Sequence, residues 1–246
     1  MSKLSGKAAL VTGGGRGIGA AIARRLAAED ARVAITFHAS AAPAAALVSE
    51  ITAAGGEAIA LEADMADPAA VRGAVAETVR RFGRLDILVN NAGMGVAASL
   101  EDTAMADFEA CVAVNFTAVF VAMQEAARHM TGGGRIITIG SVNGDRIPFQ
   151  GGAIYAATKA AVAGLTRGAA RDLGPRGITA NVVQPGPIDT DMNPADGPWA
   201  DAGRAATALG RFGETADVAS MVAFLASDEA AFITGASLNV DGGYNA

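Results

Sequence analysis

The chain has 246 residues, of which 51% are hydrophobic and 18% charged, so a sizeable core can be buried. The formal net charge of −6 argues against a nucleic-acid partner, which needs a positive footprint. No stretch pairs low hydrophobicity with high charge, so no disordered segment is expected.

In chain order, the first apolar run is Ala8–Val11. It is too short for a signal-peptide core or a membrane span, and no membrane attachment is expected. Strands are predicted at Ala8–Val11, Arg32–Phe37, Ala58–Glu62, Ile87–Asn90, Arg135–Ile139, Thr179–Gln184 and Ser237–Val240. Helices are predicted between them, at Ile18–Glu29, Pro43–Ala54, Pro68–Phe82, Thr103–Met130, Tyr155–Leu173 and Ala216–Ala226. Asp67-Pro68 marks a helix start, as an N-cap followed by proline in the first turn. Leu173-Gly174-Pro175 marks a helix end, with Gly174 as a left-handed cap. Strands alternating with helices imply an α/β fold, a doubly wound parallel sheet covered on both faces. No linker or repeat interrupts it, so residues 1–246 form a single domain. The one long stretch without periodicity begins at Pro185 and holds four prolines. A loop of that length inside a domain is usually functional, and a substrate lid at about residues 187–210 is expected. The single cysteine, Cys111, excludes an internal disulfide, suits a reducing cytoplasm and reads as packing. No His/Cys/Asp/Glu cluster has metal-ligand spacing; His38 and His129 are not expected to be catalytic.

The first strand runs into Thr12-Gly13-Gly14-Gly15-Arg16-Gly17-Ile18-Gly19 and then a helix. Glycine lets the backbone turn tightly and approach a pyrophosphate, and the helix N-terminus presents free N–H groups to it. Gly13, Gly15, Arg16, Gly17, Ile18 and Gly19 are the candidate contacts. The spacing departs from G-x-G-x-x-G, so this turn alone is a weak signal.

A rarer pair follows. The chain has two tyrosines and three lysines, and Tyr155 and Lys159 are four residues apart on a predicted helix. Positions i and i+4 share a face, which sets an ammonium beside the phenol. A nearby cation favours the ionised form, so this phenol is equipped to give and take a proton.

Taken together, the chain resembles the short-chain dehydrogenase/reductase family over essentially its whole length. The resemblance is carried by Thr12-Gly13-x-x-x-Gly17-x-Gly19, Asn90-Asn91-Ala92-Gly93, Asn115, Ser141, Tyr155-x-x-x-Lys159 and Pro185-Gly186, in the family's order and spacing. It implies a Rossmann-type seven-stranded sheet and hydride transfer between a nicotinamide cofactor and a carbonyl or alcohol. By resemblance, Tyr155 protonates the substrate oxygen and Ser141 hydrogen-bonds it. Lys159 would also bind the nicotinamide ribose, and Asn115 would hold a water linking Lys159 to solvent. Asn90, Asn91, Ala92 and Gly93 would line that ribose, and Asp64 would accept the adenine amino group with Met65 beside it. Pro185, Gly186, Ile188 and Thr190 would pass along the nicotinamide.

In this fold the residue ending the second strand reads the adenosine ribose, and a carboxylate there disfavours a 2′-phosphate. Here the segment is Thr36-Phe37-His38-Ala39-Ser40, without a carboxylate. The Arg16 fork suits a 2′-phosphate, and His38 and Ser40 can add hydrogen bonds. NADP(H) is therefore expected over NAD(H), which stays possible.

Within the family the chain is similar to bacterial 3-oxoacyl-(acyl carrier protein) reductases and related carbonyl reductases, notably at Gly134–Ser141 and Arg176–Asn181. Those reductases carry basic residues for the acidic carrier. Arg176 matches one such position, Thr131-Gly132-Gly133-Gly134 lacks the other, and the overall acidity disfavours that partner. A small ketone or keto ester is the preferred substrate, contacted by Met94, Val142, Asn143, Phe149, Gln150, Met192 or Trp199. The stretches Ile139–Arg146 and Gln184–Asp191 also resemble a narrower branch that includes a cyclic-di-GMP-binding biofilm dispersal mediator. This leaves a nucleotide-binding regulator as the alternative of another class, although the complete Asn-Ser-Tyr-Lys set favours an enzyme. The long apolar helices Thr103–Met130 and Tyr155–Leu173 have more apolar surface than one sheet face needs, and by resemblance a homotetramer is expected.

Overall fold

In a computed structural model that describes residues 3–246, alternate residues of the central strands enter two separate cores. Ala9 and Val11 of β1 (Ala8–Val11) join one hydrophobic cluster, while Ala8 and Leu10 join the other. A strand apolar on both faces has to be covered on both. The remaining strands are β2 (Arg32–Phe37), β3 (Ala58–Glu62), β4 (Ile87–Asn90), β5 (Arg135–Ile139), β6 (Thr179–Pro185) and β7 (Ser237–Val240). They form one seven-stranded parallel sheet in the order β3-β2-β1-β4-β5-β6-β7. The sheet is the Rossmann-type arrangement expected above.

The helices are α1 (Gly17–Ala28), α2 (Ala41–Ala53), α3 (Pro68–Phe82), α4 (Met105–Val112), α5 (Ala118–His129), α6 (Ala153–Leu173), α7 (Ala200–Ala206) and α8 (Thr215–Ala226). Ile22, Leu26, Leu47, Ile51, Val218 and Val222 bring α1, α2 and α8 onto one face. Val71, Val75, Val119, Val121 and Val162 bring α3, α5 and α6 onto the other. Each such side chain contributes roughly 1.5–3 kcal/mol relative to exposure. Asp67 caps α3 as predicted, accepting the Ala69 N–H at 2.8 Å.

Three local expectations are corrected. The predicted helix Thr103–Met130 starts only at Met105, because the Thr103 hydroxyl turns back to Ser99 O. It then runs on to His129 with a π-turn at Ala113–Thr117 between α4 and α5, one residue too many for a regular helix. At the end of α6, Gly174 is right-handed and leads into a 3₁₀ turn, Gly174–Arg176; the left-handed residue is Gly177, with φ 70°. Proline in the first turn of that 3₁₀ segment needs no N–H acceptor, so Gly174-Pro175 continues the chain rather than stopping it. The irregular stretch after β6 holds the unpredicted helix α7, whose seven residues are too few for a periodicity signal.

Candidate active site

The strand order reverses between β1 and β4, and the crevice beyond their carboxyl ends is where ligands bind in such sheets. The glycine turn leaves β1 here. Gly13 adopts φ 63° and Gly17 φ 54°, both in the left-handed region. The Gly13 N–H donates to Thr36 Oγ1 at 2.9 Å. Asn91, just past β4, donates through Nδ2 to Thr12 O at 2.9 Å and Gly13 O at 3.1 Å. The Thr12 hydroxyl oxygen accepts the Asn91 and Ala92 N–H groups at 3.0 and 3.1 Å. The turn is therefore locked to the end of β4. A Cβ at Gly19 would lie 2.5 Å from both Gly13 O and Asn91 Nδ2, so only glycine brings α1 this close.

The outer side of the turn is open. A Cβ at Gly15 or Gly17 would meet nothing nearer than 3.5 Å. Intrahelical bonding starts at the Ala20 N–H, which donates to Arg16 O, so the N–H groups of Gly17, Ile18 and Gly19 have no acceptor inside α1. The first turn of α1 carries no acidic residue. These features fit a dinucleotide pyrophosphate. Arg16 is exposed, and its guanidinium makes no hydrogen bond or ion pair among the described residues. Ser40 lies beside the turn, its Cβ 3.7 Å from the Cβ position of Gly15, and His38 is exposed two residues before it. Asp64 is exposed at the end of β3, with Oδ1 accepting the Ala66 N–H at 2.8 Å. Met65 turns inward and is buried under Thr36. From the opposite side the loop after β6 brings Thr190 Cγ2 to 3.8 Å from the Cβ position of Gly17. Pro185 and Ile188 are buried, and Gly186 passes so close to Asp241 that a Cβ would sit 2.7 Å from its Cα.

The π-turn places Asn115, 1% exposed, against the loop after β4. Its Oδ1 accepts the Met94 N–H and its Nδ2 donates to Met94 O, both at 2.9 Å. The same Nδ2 donates to Thr158 Oγ1 at 3.1 Å and lies 3.4 Å from Cys111 Sγ. The amide braces the Gly93–Met94 main chain rather than pointing freely into solvent. Burial pushes the Cys111 thiol up, against the opposing pull of Thr158 and Lys159.

Ser141 follows β5 and caps a 3₁₀ turn, Val142–Gly144, its Oγ accepting the Asn143 N–H at 3.1 Å. This turn presses on α6: a Cβ at Gly144 would lie 3.1 Å from Lys159 C and Ala160 N. Lys159, 5% exposed, donates to Ile139 O at 2.9 Å. Its Nζ lies 5.5 Å from the Tyr155 ring centroid and 3.5 Å from the Cβ position of Gly93. Tyr155 itself is half-buried in the first turn of α6. One ammonium thus meets the end of β5, the phenol and the loop after β4. A polar network supports the rim: Gln184 Nε2 donates to Asp145 and Asn239, and Arg146 donates to Tyr244 O.

The candidate substrate contacts divide. Met94, Asn143, Phe149, Gln150, Met192 and Trp199 keep accessible surface, Trp199 at 75%. Val142 is buried, at 3%; its side chain packs inward and is withdrawn as a substrate contact. The side chain of Asn91 is likewise committed to the glycine turn. Thr36, Gly144 and Thr158 also shape the site, although no role was expected of them from the sequence, whereas Thr12 belongs to the motif quoted above.

Residues 13–245 match the family model described as enoyl-(acyl carrier protein) reductase. The chain is 56% identical to a short chain dehydrogenase from Burkholderia cenocepacia J2315 solved in complex with NADP, with a TM-score of 0.98 over 99% of this chain and 100% of that one. It is 49% identical, over all of both chains, to the cyclic-di-GMP-binding biofilm dispersal mediator protein of Escherichia coli K12. It is 42% identical over 240 residues to the 3-oxoacyl-(acyl carrier protein) reductase of Staphylococcus aureus Mu50, covering 96% of this chain and 97% of that one.

Proposed function

Because this chain belongs to the short-chain dehydrogenase/reductase family, we propose that it interconverts a small ketone or keto ester and its alcohol, with NADP(H) preferred over NAD(H). Bound at the glycine turn and the ends of β4 and β6, the nicotinamide cofactor supplies or receives the hydride. The protein's own residues handle the proton and the charge. Tyr155 gives its phenolic proton to the substrate oxygen, and takes it back in the reverse direction. The Ser141 oxygen already accepts the Asn143 N–H, so its hydrogen is free to point at the substrate oxygen; one such donor is worth about 10²–10³ in rate. Lys159 commits one N–H to Ile139 O and keeps two for the ribose hydroxyls beside Gly93. The exposed Arg16 guanidinium, next in the chain to Gly15, pairs with the 2′-phosphate. The loop at 187–210 closes over the substrate as a lid. The observation that carries this reading is Lys159, held at the end of β5 and under the ring of Tyr155.

A neutral substrate is favoured because nearby guanidinium groups are engaged. Arg146 is bound to the carbonyl and ring of Tyr244, and Arg204 to Ala195 O and Asp201. Arg176, the position expected to greet an acyl carrier, instead caps α5 at Ala127 O and Met130 O. This weakens the acyl carrier protein alternative. The regulator reading is favoured by the 49% identity to the cyclic-di-GMP-binding relative, while the intact Tyr155–Lys159 centre favours turnover. An NADPH-oxidation assay on a ketone panel, run beside calorimetry with cyclic-di-GMP, separates them. Turnover supports the enzyme; cyclic-di-GMP binding without turnover supports the regulator.

The stretch Met105–His129 is apolar enough by length and composition to cross a membrane. Here part of it packs on the sheet, and the remainder forms an apolar groove with α6, lined by Phe108, Val112, Phe116, Ile154, Ala157 and Ala161. A second copy of the chain covers that groove in the homotetramer we propose.

A further inference from the structure

We infer that Thr158 is a positioning residue, setting Tyr155 at a fixed distance from the Gly93–Met94 loop; the inference rests on the redox reading above. The Thr158 hydroxyl has one hydrogen and donates it to Tyr155 O at 2.7 Å. Its oxygen then accepts the Asn115 Nδ2 at 3.1 Å. The other end of that amide is fixed, because Met94 N–H can only donate and so meets Oδ1. The result is a directed chain from the Met94 main chain, through the Asn115 amide and the Thr158 hydroxyl, to the main-chain carbonyl of Tyr155.

A threonine that bonds back to a carbonyl in its own helix is common and purely local. What sets Thr158 apart is the second bond, which arrives from the π-turn on a different segment. Asn115 and Thr158 are 1% and 4% exposed, so water does not readily replace a lost partner, and buried polar networks act as units. Without the hydroxyl, the Asn115 N–H groups retain Met94 O and the thiol of Cys111, a weak acceptor. The amide then loses its bond to α6, and Met94 and Tyr155 lose their common reference. Catalytic groups misplaced by about 1 Å lose roughly 10²-fold in rate.

The test compares the full-length protein with Thr158→Val, which keeps the shape and removes the hydroxyl, and Thr158→Ser, which restores it. Turnover and Michaelis constants are measured with NADPH on the ketone panel. Amide hydrogen exchange at Met94 is followed separately. The Val variant is expected to lose about 10–100-fold in kcat with a nearly unchanged KM for NADPH, and to exchange the Met94 amide about tenfold faster. The Ser variant is expected to recover both. Unchanged exchange in the Val variant, unchanged kcat, or no recovery with serine would each overturn the assignment. If the unmodified protein turned over no ketone while the exchange response appeared and serine reversed it, the link through Thr158 would stand and the redox reading would fall.

Discussion

Asn91 reaches across the point where the strand order reverses and donates a hydrogen bond to Gly13 O at 3.1 Å. The same nitrogen lies 2.5 Å from where a Cβ on Gly19 would be. The glycine turn is therefore held between a side chain from β4 and the start of α1, with no room to spare. Gly19→Ala forces that contact open. It is expected to destabilise the fold by about 1–3 kcal/mol and to weaken NADPH binding at least tenfold, read by thermal denaturation and fluorescence titration.

The Arg16 guanidinium makes no hydrogen bond or ion pair among the described residues, and Arg16 follows Gly15, which lies beside Ser40. A charge-assisted pair is worth about 1.5–3 kcal/mol, or roughly 10–100-fold in affinity. Arg16→Ala should raise KM for NADPH by that factor and leave KM for NADH nearly unchanged. Steady-state kinetics with both cofactors checks this, and equal effects on the two would remove the argument for a 2′-phosphate.

Cys111 is fully buried, and burial raises its thiol above the ordinary value. The reactive form is the thiolate, so a raised value moves reactivity to higher pH. At about pH 8 the native protein should resist a maleimide reagent, and one thiol should react once denaturant opens the fold. Labelling followed by mass spectrometry gives the result directly; rapid labelling of the folded protein would mean that the α4 face opens.

The groove between Phe108, Phe116 and Ile154 is lined by apolar side chains, and a second copy of the chain is proposed to cover it. Light scattering at micromolar concentration should give about four times the 24.5 kDa chain mass. Ala157→Arg, placing a charge in the groove, should reduce the assembly to smaller species. A monomeric mass for the unmodified chain would contradict the proposed tetramer.

Much of this is legible in the sequence, for physical reasons. Tyr155 and Lys159 stand out because both residue types are scarce in the chain and because i, i+4 spacing has one meaning on a helix. The seven strands are short apolar runs between alanine-rich helices, and their bounds matched to within a residue. What stayed hidden depends on partners distant in sequence. The brace from Asn91 to Thr12 spans 79 positions, and the bond from Asn115 to Thr158 spans 43. The π-turn at Ala113–Thr117 leaves no local mark, since its extra residue matters only where Asn115 meets Met94. Gly144 looks like any loop glycine until α6 is seen 3.1 Å away. Val142, expected as a substrate contact from its place beside Ser141, is buried at 3% exposure.

The phenol of Tyr155, set over Lys159, is proposed to carry the proton to the substrate oxygen. Tyr155→Phe removes one oxygen and keeps the ring. Measured beside the unmodified protein, it is expected to bind NADPH with nearly the same affinity and to lose at least 10²-fold in kcat on every ketone that the unmodified protein reduces. Turnover that survives the substitution would contradict the account and require another proton donor.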